Sequence, residues 1–420
     1  MNNYRNNDCI NCGGRELSRF IDLGEQPNGN RFPTIETIAE EPFFPFAMAV
    51  CLQCWQVQLE AFPSPEFMFR DHSYITGMNK PVVRHFQKLS KSIVEKYNLQ
   101  KNSLVIDIGC NDGTLLQSFA ELGMRTLGVD PGSITGGLCE EKGINVCRTF
   151  WNKATGESLS NLNLIPSVIT ATAVFYHIPD LHDFVCGLRA IMNNQTVFIT
   201  QCVYLKDVIE KNQFDHFYHE HTMIHSLAPL KRLFVKNGMR VIDIEFDSIH
   251  GGSFILHAAL NASTYPTATR VKDALIAEQE AKLNNLATFT AFSRRVESNK
   301  YDLLALLNKL NEEGKTVYGL CAPAKGSTLL NYAKIGPELV EKVVEINPYK
   351  IGKLTPGTHI PIIDEKKIAE NPDYYLILSW NFLDFFVDKY RDFLNKGGKF
   401  IVTNPVVRVI DDSFLTSSDC

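Results

Sequence analysis

Long apolar runs are missing from this 420-residue chain. No stretch approaches the ~18–20 apolar residues that a membrane-spanning helix needs, so no membrane role is expected. Excess positive charge is missing too. The formal net charge is −5, which excludes a general attraction to nucleic acid or anionic lipid and leaves only a local basic pocket open. The opening residues Met1–Asp8 are polar and lack the apolar core of a secretion signal. A cytoplasmic location is the expectation. Short-period repeats and low-complexity tracts are absent. The chain is too long for one ordinary domain, and two or three are expected.

Cysteine, by contrast, is plentiful, with 11 residues. In a reducing compartment these need another reading than disulfides. Four fall in two pairs, Cys9-Ile10-Asn11-Cys12 and Cys51-Leu52-Gln53-Cys54. Four soft thiolates in two knuckles suit tetrahedral Zn²⁺, and a closed four-cysteine set makes the ion structural. Two unrelated thiol pairs or a redox site are the alternatives. Residues 1–70 are rich in Pro and Phe, lack helical periodicity and read as turns and short strands. A segment without an evident core favours a metal staple. Cys110, Cys139, Cys147, Cys186, Cys202, Cys321 and Cys420 are scattered, mostly in apolar surroundings that suit core thiols.

The rest divides into 71–260 and 261–420. A helix is expected over Lys80–Tyr97. Strands follow at Leu104–Ile108, Thr126–Val129, Ile144–Phe150, Ser167–Val174 and Thr196–Val203, with helices over Thr114–Leu122, Asp180–Met192 and Thr222–Asn237. Met239–Phe246 and Phe254–Leu260 close the set as two strands with no helix between them. Alternation ending in a hairpin predicts a mainly parallel sheet with an antiparallel last strand. A long helical stretch, Thr269–Asn311, opens the last region. Strands at Thr316–Leu320, Lys342–Ile346, Tyr374–Ser379 and Lys399–Thr403 follow, with helices over Ala324–Tyr332 and Asn381–Asn395, a second α/β unit.

The loop after the first strand is Asp107-Ile108-Gly109-Cys110-Asn111-Asp112-Gly113. In an open α/β sheet that loop faces the ligand crevice. Gly109 and Gly113 remove side chains there, so a cofactor can approach the backbone. Asp107 can accept a hydrogen bond from an ammonium group, and Asp130 at the end of the next strand suits two ribose hydroxyls. Asn111 and Asp112 complete the candidate cofactor-binding set. Pyrophosphate prefers Gly-x-Gly-x-x-Gly and would be repelled by Asp112. A phosphate-free, positively charged ligand would not, and S-adenosylmethionine is such a ligand. A glycine turn alone would serve a structural α/β unit equally well. Loop, matched acid and strand series together favour the cofactor.

Asp215-His216-Phe217-Tyr218-His219-Glu220-His221 follows the fifth expected strand, at the ligand-facing edge of the sheet. Tyr218, His219 and His221 can supply a general base and a donor to an oxyanion, the pair that enolate chemistry needs. The segment lacks the second His of a zincin helix, so no catalytic metal is expected. His177, after the fourth strand, is placed at the same edge. Lys325 with the helix start at Gly326-Ser327 can hold a phosphate or simply pack the domain.

These residues resemble a known family over nearly the whole chain: the sugar C-methyltransferases of deoxysugar biosynthesis, which methylate C3 of nucleotide-linked 4-keto-6-deoxyhexoses. The shared motifs are Cys9-x-x-Cys12-Gly13 with Asp22-Leu23-Gly24-Glu25-Gln26-Pro27, Cys51 with Cys54, Asp107–Gly113, Tyr218–His221, His250-Gly251-Gly252-Ser253, Ala324-Lys325-Gly326, Asn347-Pro348-x-Lys350-x-Gly352 and Pro356–Pro361. The resemblance implies a zinc-binding N-terminal domain, a seven-stranded class I S-adenosylmethionine methyltransferase domain and a C-terminal Rossmann-like α/β domain. It also implies a small-molecule acceptor, a nucleotide-linked keto-sugar, rather than nucleic acid. It assigns the base to His221 with Tyr218 as partner, an orienting role to Glu220, acceptor contact to His177, and an active-site tyrosine to Tyr74 in His72-Ser73-Tyr74-Ile75-Thr76-Gly77. Three departures stand out. Ala173 replaces a usual Asn, Phe254-Ile255 replaces Leu-Arg, and Tyr318–Gly326 is altered in residues and length. A C- or O-methyltransferase of another natural-product or glycan-precursor intermediate is the alternative. A nucleic-acid methyltransferase is disfavoured, because Thr172–His177 carries no Asn/Asp-Pro-Pro-Tyr.

Overall fold

The computed structural model describes residues 3–70 and 74–413. Asp71, the expected start of the second region, His72 and Ser73 of the tyrosine segment, and Cys420 lie outside the described residues. The chain forms two compact units. One holds 1–18, 49–206 and 221–286; the other holds 19–48, 207–220 and 287–420.

Five strands come first: β1 (Asn3–Arg5), β2 (Leu17–Pro27), β3 (Phe43–Cys51), β4 (Val57–Leu59) and β5 (Ala61–Pro63). At 11 and 9 residues, β2 and β3 are longer than the short strands expected. Alternation explains them. Ile21 and Leu23 in β2, and Phe44 and Phe46 in β3, are buried while residues between them are exposed.

The first unit carries β6 (Leu104–Ile108), β7 (Arg125–Val129), β8 (Val146–Cys147), β9 (Val168–Thr172), β10 (Val197–Val203), β11 (Met223–Ile224), β12 (Met239–Asp247) and β13 (Ser253–Leu260). Seven of them form one sheet in the order β12-β13-β10-β9-β6-β7-β8. The strands β6 to β10 run parallel, and β13 is antiparallel to both neighbours. Every residue of β6 and of β10 is buried, as parallel strands covered on both faces require. The expected third strand shrinks to Val146–Cys147 because it is an edge strand flanked by polar Asn145, Arg148 and Thr149.

Helix starts follow side-chain caps. Asn79 caps Lys80–Lys96 by accepting from Val82 N at 3.3 Å, and Asp180 caps Leu181–Ile191 by accepting from Asp183 N at 2.9 Å. The short helices Pro65–Phe69 and Leu205–Glu210 have no counterpart in the sequence reading, and neither do two longer ones, Ser133–Glu141 and Lys153–Asn161. Their glycines, Gly136, Gly137 and Gly156, hide them by lowering helix propensity. Packing offsets that cost for the second. A Cβ on Gly156 would lie 2.2 Å from Gly187 O, so its helix closes directly onto Leu181–Ile191. The expected helix Thr222–Asn237 is instead β11 followed by helix Leu227–Lys236. Pairing of Met223 and Ile224 with Gln58 and Val57 overrides local periodicity there. The long helical stretch is broken into Thr269–Glu280 and Leu286–Glu312, with Lys282 at φ +53° in the break.

The second unit holds a six-stranded sheet of β14 (Val317–Leu320), β15 (Lys342–Glu345), β16 (Ile362–Asp364), β17 (Tyr374–Ile377), β18 (Lys399–Val402) and β19 (Arg408–Ile410). Its order is β16-β15-β14-β17-β18-β19, with only the last strand antiparallel. That is the Rossmann order, with its crossover reversal between β14 and β17. The strands β16 and β19 have three residues each, too few for a periodic pattern. The expected helix Asn381–Asn395 breaks at Tyr390 into Leu383–Lys389 and Arg391–Asn395. No helix among the described residues is long and apolar enough to cross a membrane.

Candidate active site

The loop between β6 and helix Thr114–Glu121 is drawn tight by its glycines. Gly109 sits at φ +69°, and a Cβ there would lie 2.4 Å from Val174 Cγ2, so only glycine fits. Asp107 is buried in β6 beside β9 and accepts from Thr170 Oγ1 at 2.6 Å. Burial raises its carboxyl to about 7; the Thr170 hydrogen bond opposes the rise and the Asp130 charge adds to it. Asp130, just past β7, accepts from Asn111 N at 2.9 Å, Gly132 N at 2.8 Å and Thr135 Oγ1 at 3.0 Å. Two carboxylates at adjacent strand ends fit a cationic, phosphate-free ligand carrying a ribose. Asn111 and Asp112 belong to the same loop, but their side chains bond protein groups. Asn111 Nδ2 donates to Tyr74 O at 3.0 Å, and Asn111 Oδ1 accepts from Thr76 N at 3.0 Å. Asp112 accepts from Thr114 Oγ1 at 2.7 Å, Gly77 N at 3.1 Å and Lys142 Nζ at 2.9 Å.

The two cysteine pairs form matching knuckles. Gly13 N donates to Cys9 O at 2.8 Å, and Trp55 N donates to Cys51 O at 2.8 Å. Cys9 N donates to Gly14 O and Cys51 N to Gln56 O in the same relation. Gly13 and Trp55 both take positive φ, +75° and +65°. The four sulfurs lie within 4.8 Å of one another, with Cys9 to Cys54 at 3.5 Å and Cys12 to Cys51 at 3.7 Å. Corners of a tetrahedron with metal–sulfur bonds of about 2.3 Å are ~3.8 Å apart, so the thiols fit Zn²⁺. Hydrogen bonding to Cys54 pulls the Cys9 thiol down to about 5 and pushes Cys54 up, because the two share one proton.

His177 and His221 come together in the first unit. His177 follows β9 in the turn Phe175–His177, five residues past the strand's last residue Thr172. His221 lies two residues before β11, and the intervening Thr222 ties it to the same turn by donating Oγ1 to Tyr176 O at 3.0 Å. The His221 ring lies 4.3 Å from Tyr176 and 5.2 Å from His177, and Phe69 stacks on His177 at 5.2 Å. Tyr176 and Phe69 were not singled out by the sequence, since aromatic residues near strand ends carry no motif. Tyr74 has its phenol raised to about 12 by burial and the nearby Asp112 charge.

Tyr218, His219 and Glu220 belong to the second unit. The segment is anchored by Phe217, whose ring meets Phe20 and Phe292 and whose carbonyl accepts from Thr328 Oγ1 at 2.8 Å. Tyr218 is half-buried. Glu220 is buried and accepts from Asn30 Nδ2 at 2.9 Å on both oxygens. His219 is wedged edge-on between Phe44 and Phe46, and burial lowers its imidazole to about 4. It is a neutral core histidine, not the base that the sequence allows it to be. Lys325 is also committed. It donates to Asn381, lies 4.6 Å from the Trp380 ring centre, and shares its buried surroundings with Asp215, which accepts from Trp380 Nε1 at 2.6 Å. Burial lowers Lys325 to about 8, opposed by Asp215.

Three family profiles match in sequence order: a zinc binding domain over residues 9–69, a methyltransferase domain over 79–244 and a C-methyltransferase C-terminal domain over 248–405. C-methyltransferase NovU of Streptomyces niveus is 31% identical over 405 residues, covering 96% of each chain. This chain belongs to the C-methyltransferase family. It is a methyltransferase that uses S-adenosylmethionine, with a four-cysteine zinc site. Among solved structures, magnesium protoporphyrin IX methyltransferase from Synechocystis PCC 6803 matches 42% of this chain and 82% of its own, at 17% identity and TM-score 0.33. A methyltransferase from Clostridium acetobutylicum ATCC 824 matches 42% and 92%, at 13% and 0.34.

Two departures of this C-methyltransferase have a structural reading. Ala173 stands at φ +58°, a left-handed backbone that asparagine adopts more readily than alanine. Ile255 packs in the apolar core of the seven-stranded sheet, so this departure exchanges a cation for apolar burial.

Proposed function

We propose that the chain methylates the carbon next to the ketone of a nucleotide-linked keto-deoxysugar. The observation that carries this reading is the pair of a half-buried His177 and a buried His221, both packed against Tyr176 in the unit that holds the cofactor loop. S-adenosylmethionine, when bound, supplies an electrophilic methyl group. Asp107 would hold its ammonium and Asp130 its ribose, while Gly109 and Gly113 make the positive-φ turns of the loop and pack against Val174 and Cys139.

His221 takes the proton from the carbon beside the ketone. Abstraction there needs a base that is neutral near pH 7, and an imidazole meets that need. The family resemblance gives Tyr218 the role of partner or relay and Glu220, fixed by Asn30, an orienting role. His177 and Tyr74 face the acceptor and offer donors to the oxyanion that develops on the ketone oxygen. The closed cysteine set leaves zinc without an open position, so no step depends on it.

The test is incubation with S-adenosylmethionine and a panel of nucleotide-linked 4-keto-6-deoxyhexoses, read by mass and carbon NMR. A new methyl carbon bonded to a ring carbon is expected. A methyl on oxygen, or turnover only with acceptors lacking a ketone, overturns the assignment.

A further inference from the structure

We propose that Asn111 and Asp112 are positioning residues that clamp the Tyr74–Gly77 segment to the cofactor loop, so that donor binding orders Tyr74 for the acceptor. Asn111 bonds this segment through both ends of its amide. Its nitrogen donates to Tyr74 O and its oxygen accepts from Thr76 N, each at 3.0 Å. Only one orientation of the amide satisfies both bonds, because a carbonyl accepts and an N–H donates. Asp112 adds a third bond, accepting from Gly77 N at 3.1 Å.

The fit at Gly77 is an independent sign of a built clamp. A Cβ there would lie 2.5 Å from Asp112 Oδ2, so any side chain would force the carboxylate away. Lys142 and Thr114 also hold that carboxylate, at 2.9 and 2.7 Å. Asn111 itself sits at φ +51°, a conformation tolerated by Asn, and this turns its side chain out of the loop toward Tyr74.

The clamp is one bond away from the donor's ribose acid. Asn111 N donates to Asp130 Oδ2 at 2.9 Å while the side chain of the same residue holds Tyr74 O. Asp130, Asn111 and Tyr74 thus form a continuous hydrogen-bonded line. A ligand that fixes the Asp130 carboxylate also fixes the peptide carrying the clamp. The sequence groups Asn111 and Asp112 with the cofactor contacts. The geometry gives their side chains to the acceptor side.

The role of Tyr74 rests on the proposed function, but the test needs no acceptor. Zinc-loaded full-length protein is saturated with S-adenosylhomocysteine, and amide exchange is followed over 74–79. Wild type is expected to slow exchange at Thr76 and Gly77 by about tenfold or more on binding, the scale of ordinary site–site coupling. In Asn111→Gly, which keeps the backbone angle, and in Asp112→Asn, the slowing is lost while S-adenosylhomocysteine affinity stays within about tenfold. Asn111→Asp keeps the acceptor for Thr76 N and retains slowing at Thr76 alone. Unchanged slowing in Asn111→Gly, no slowing in wild type, or an affinity loss beyond that range overturns the clamp. Failure of every keto-sugar to be methylated leaves these outcomes readable and rejects only the acceptor assignment.

Discussion

The imidazoles of His177 and His221 have ring centres 5.2 Å apart, with Tyr176 against both. His221→Asn should lower kcat by about 10²–10⁴-fold, the usual share of a general base. It should leave S-adenosylhomocysteine affinity unchanged.

Asp107 carries a cost that the donor relieves. Its carboxyl is raised to about 7 by burial, above an unfolded value of about 3.9. The folded state therefore binds more protons between these values, and stability falls as pH rises from about 4 to about 7. Asp107→Asn should raise the Tm of the donor-free protein at pH 8. It should also abolish the pH dependence of S-adenosylmethionine affinity, which in wild type weakens as pH drops below about 7. Calorimetric titration across pH checks both signs.

The cysteine site has little apolar packing to replace it. Among the described residues, only Leu17 joins the four thiols in their cluster. Cys54→Ser, or a strong chelator, should remove about one equivalent of zinc. Mass-spectrometric metal analysis and a thermal melt read the outcome. A Tm unchanged after zinc loss would contradict a structural ion.

Ala173 holds a left-handed backbone without the help of glycine or a short polar side chain. Ala173→Gly should stabilise the protein by about 1 kcal/mol. Ala173→Asn should also stabilise, by less. Denaturant titration with an unchanged slope is the check, and a destabilised glycine variant would mean that the alanine methyl packs favourably.

Much of the fold was legible because it rests on short-range patterns. Buried parallel strands such as β6 and β10 read as apolar runs, and Asn79 and Asp180 announce their helices. What escaped had weak local patterns or long-range causes. Ser133–Glu141 is masked by a pair of glycines, β16 and β19 are too short to show alternation, and β11 exists only because Val57 and Gln58 lie beside it.

By itself the sequence determined the chemistry available here. Two Cys-x-x-Cys pairs, a glycine loop with an acid at the next strand end, and a dense His/Tyr/Glu segment are local spacings, and local geometry follows from them. Tertiary structure decided who uses that chemistry. His219 becomes a neutral core ring because Phe44 and Phe46 close on it. Asn111 and Asp112 turn toward Tyr74–Gly77 because a segment some 35 residues earlier in the chain is folded against them. Hydrogen bonds and desolvation depend on what is near in space, and that nearness is not written in the spacing of neighbours along the chain.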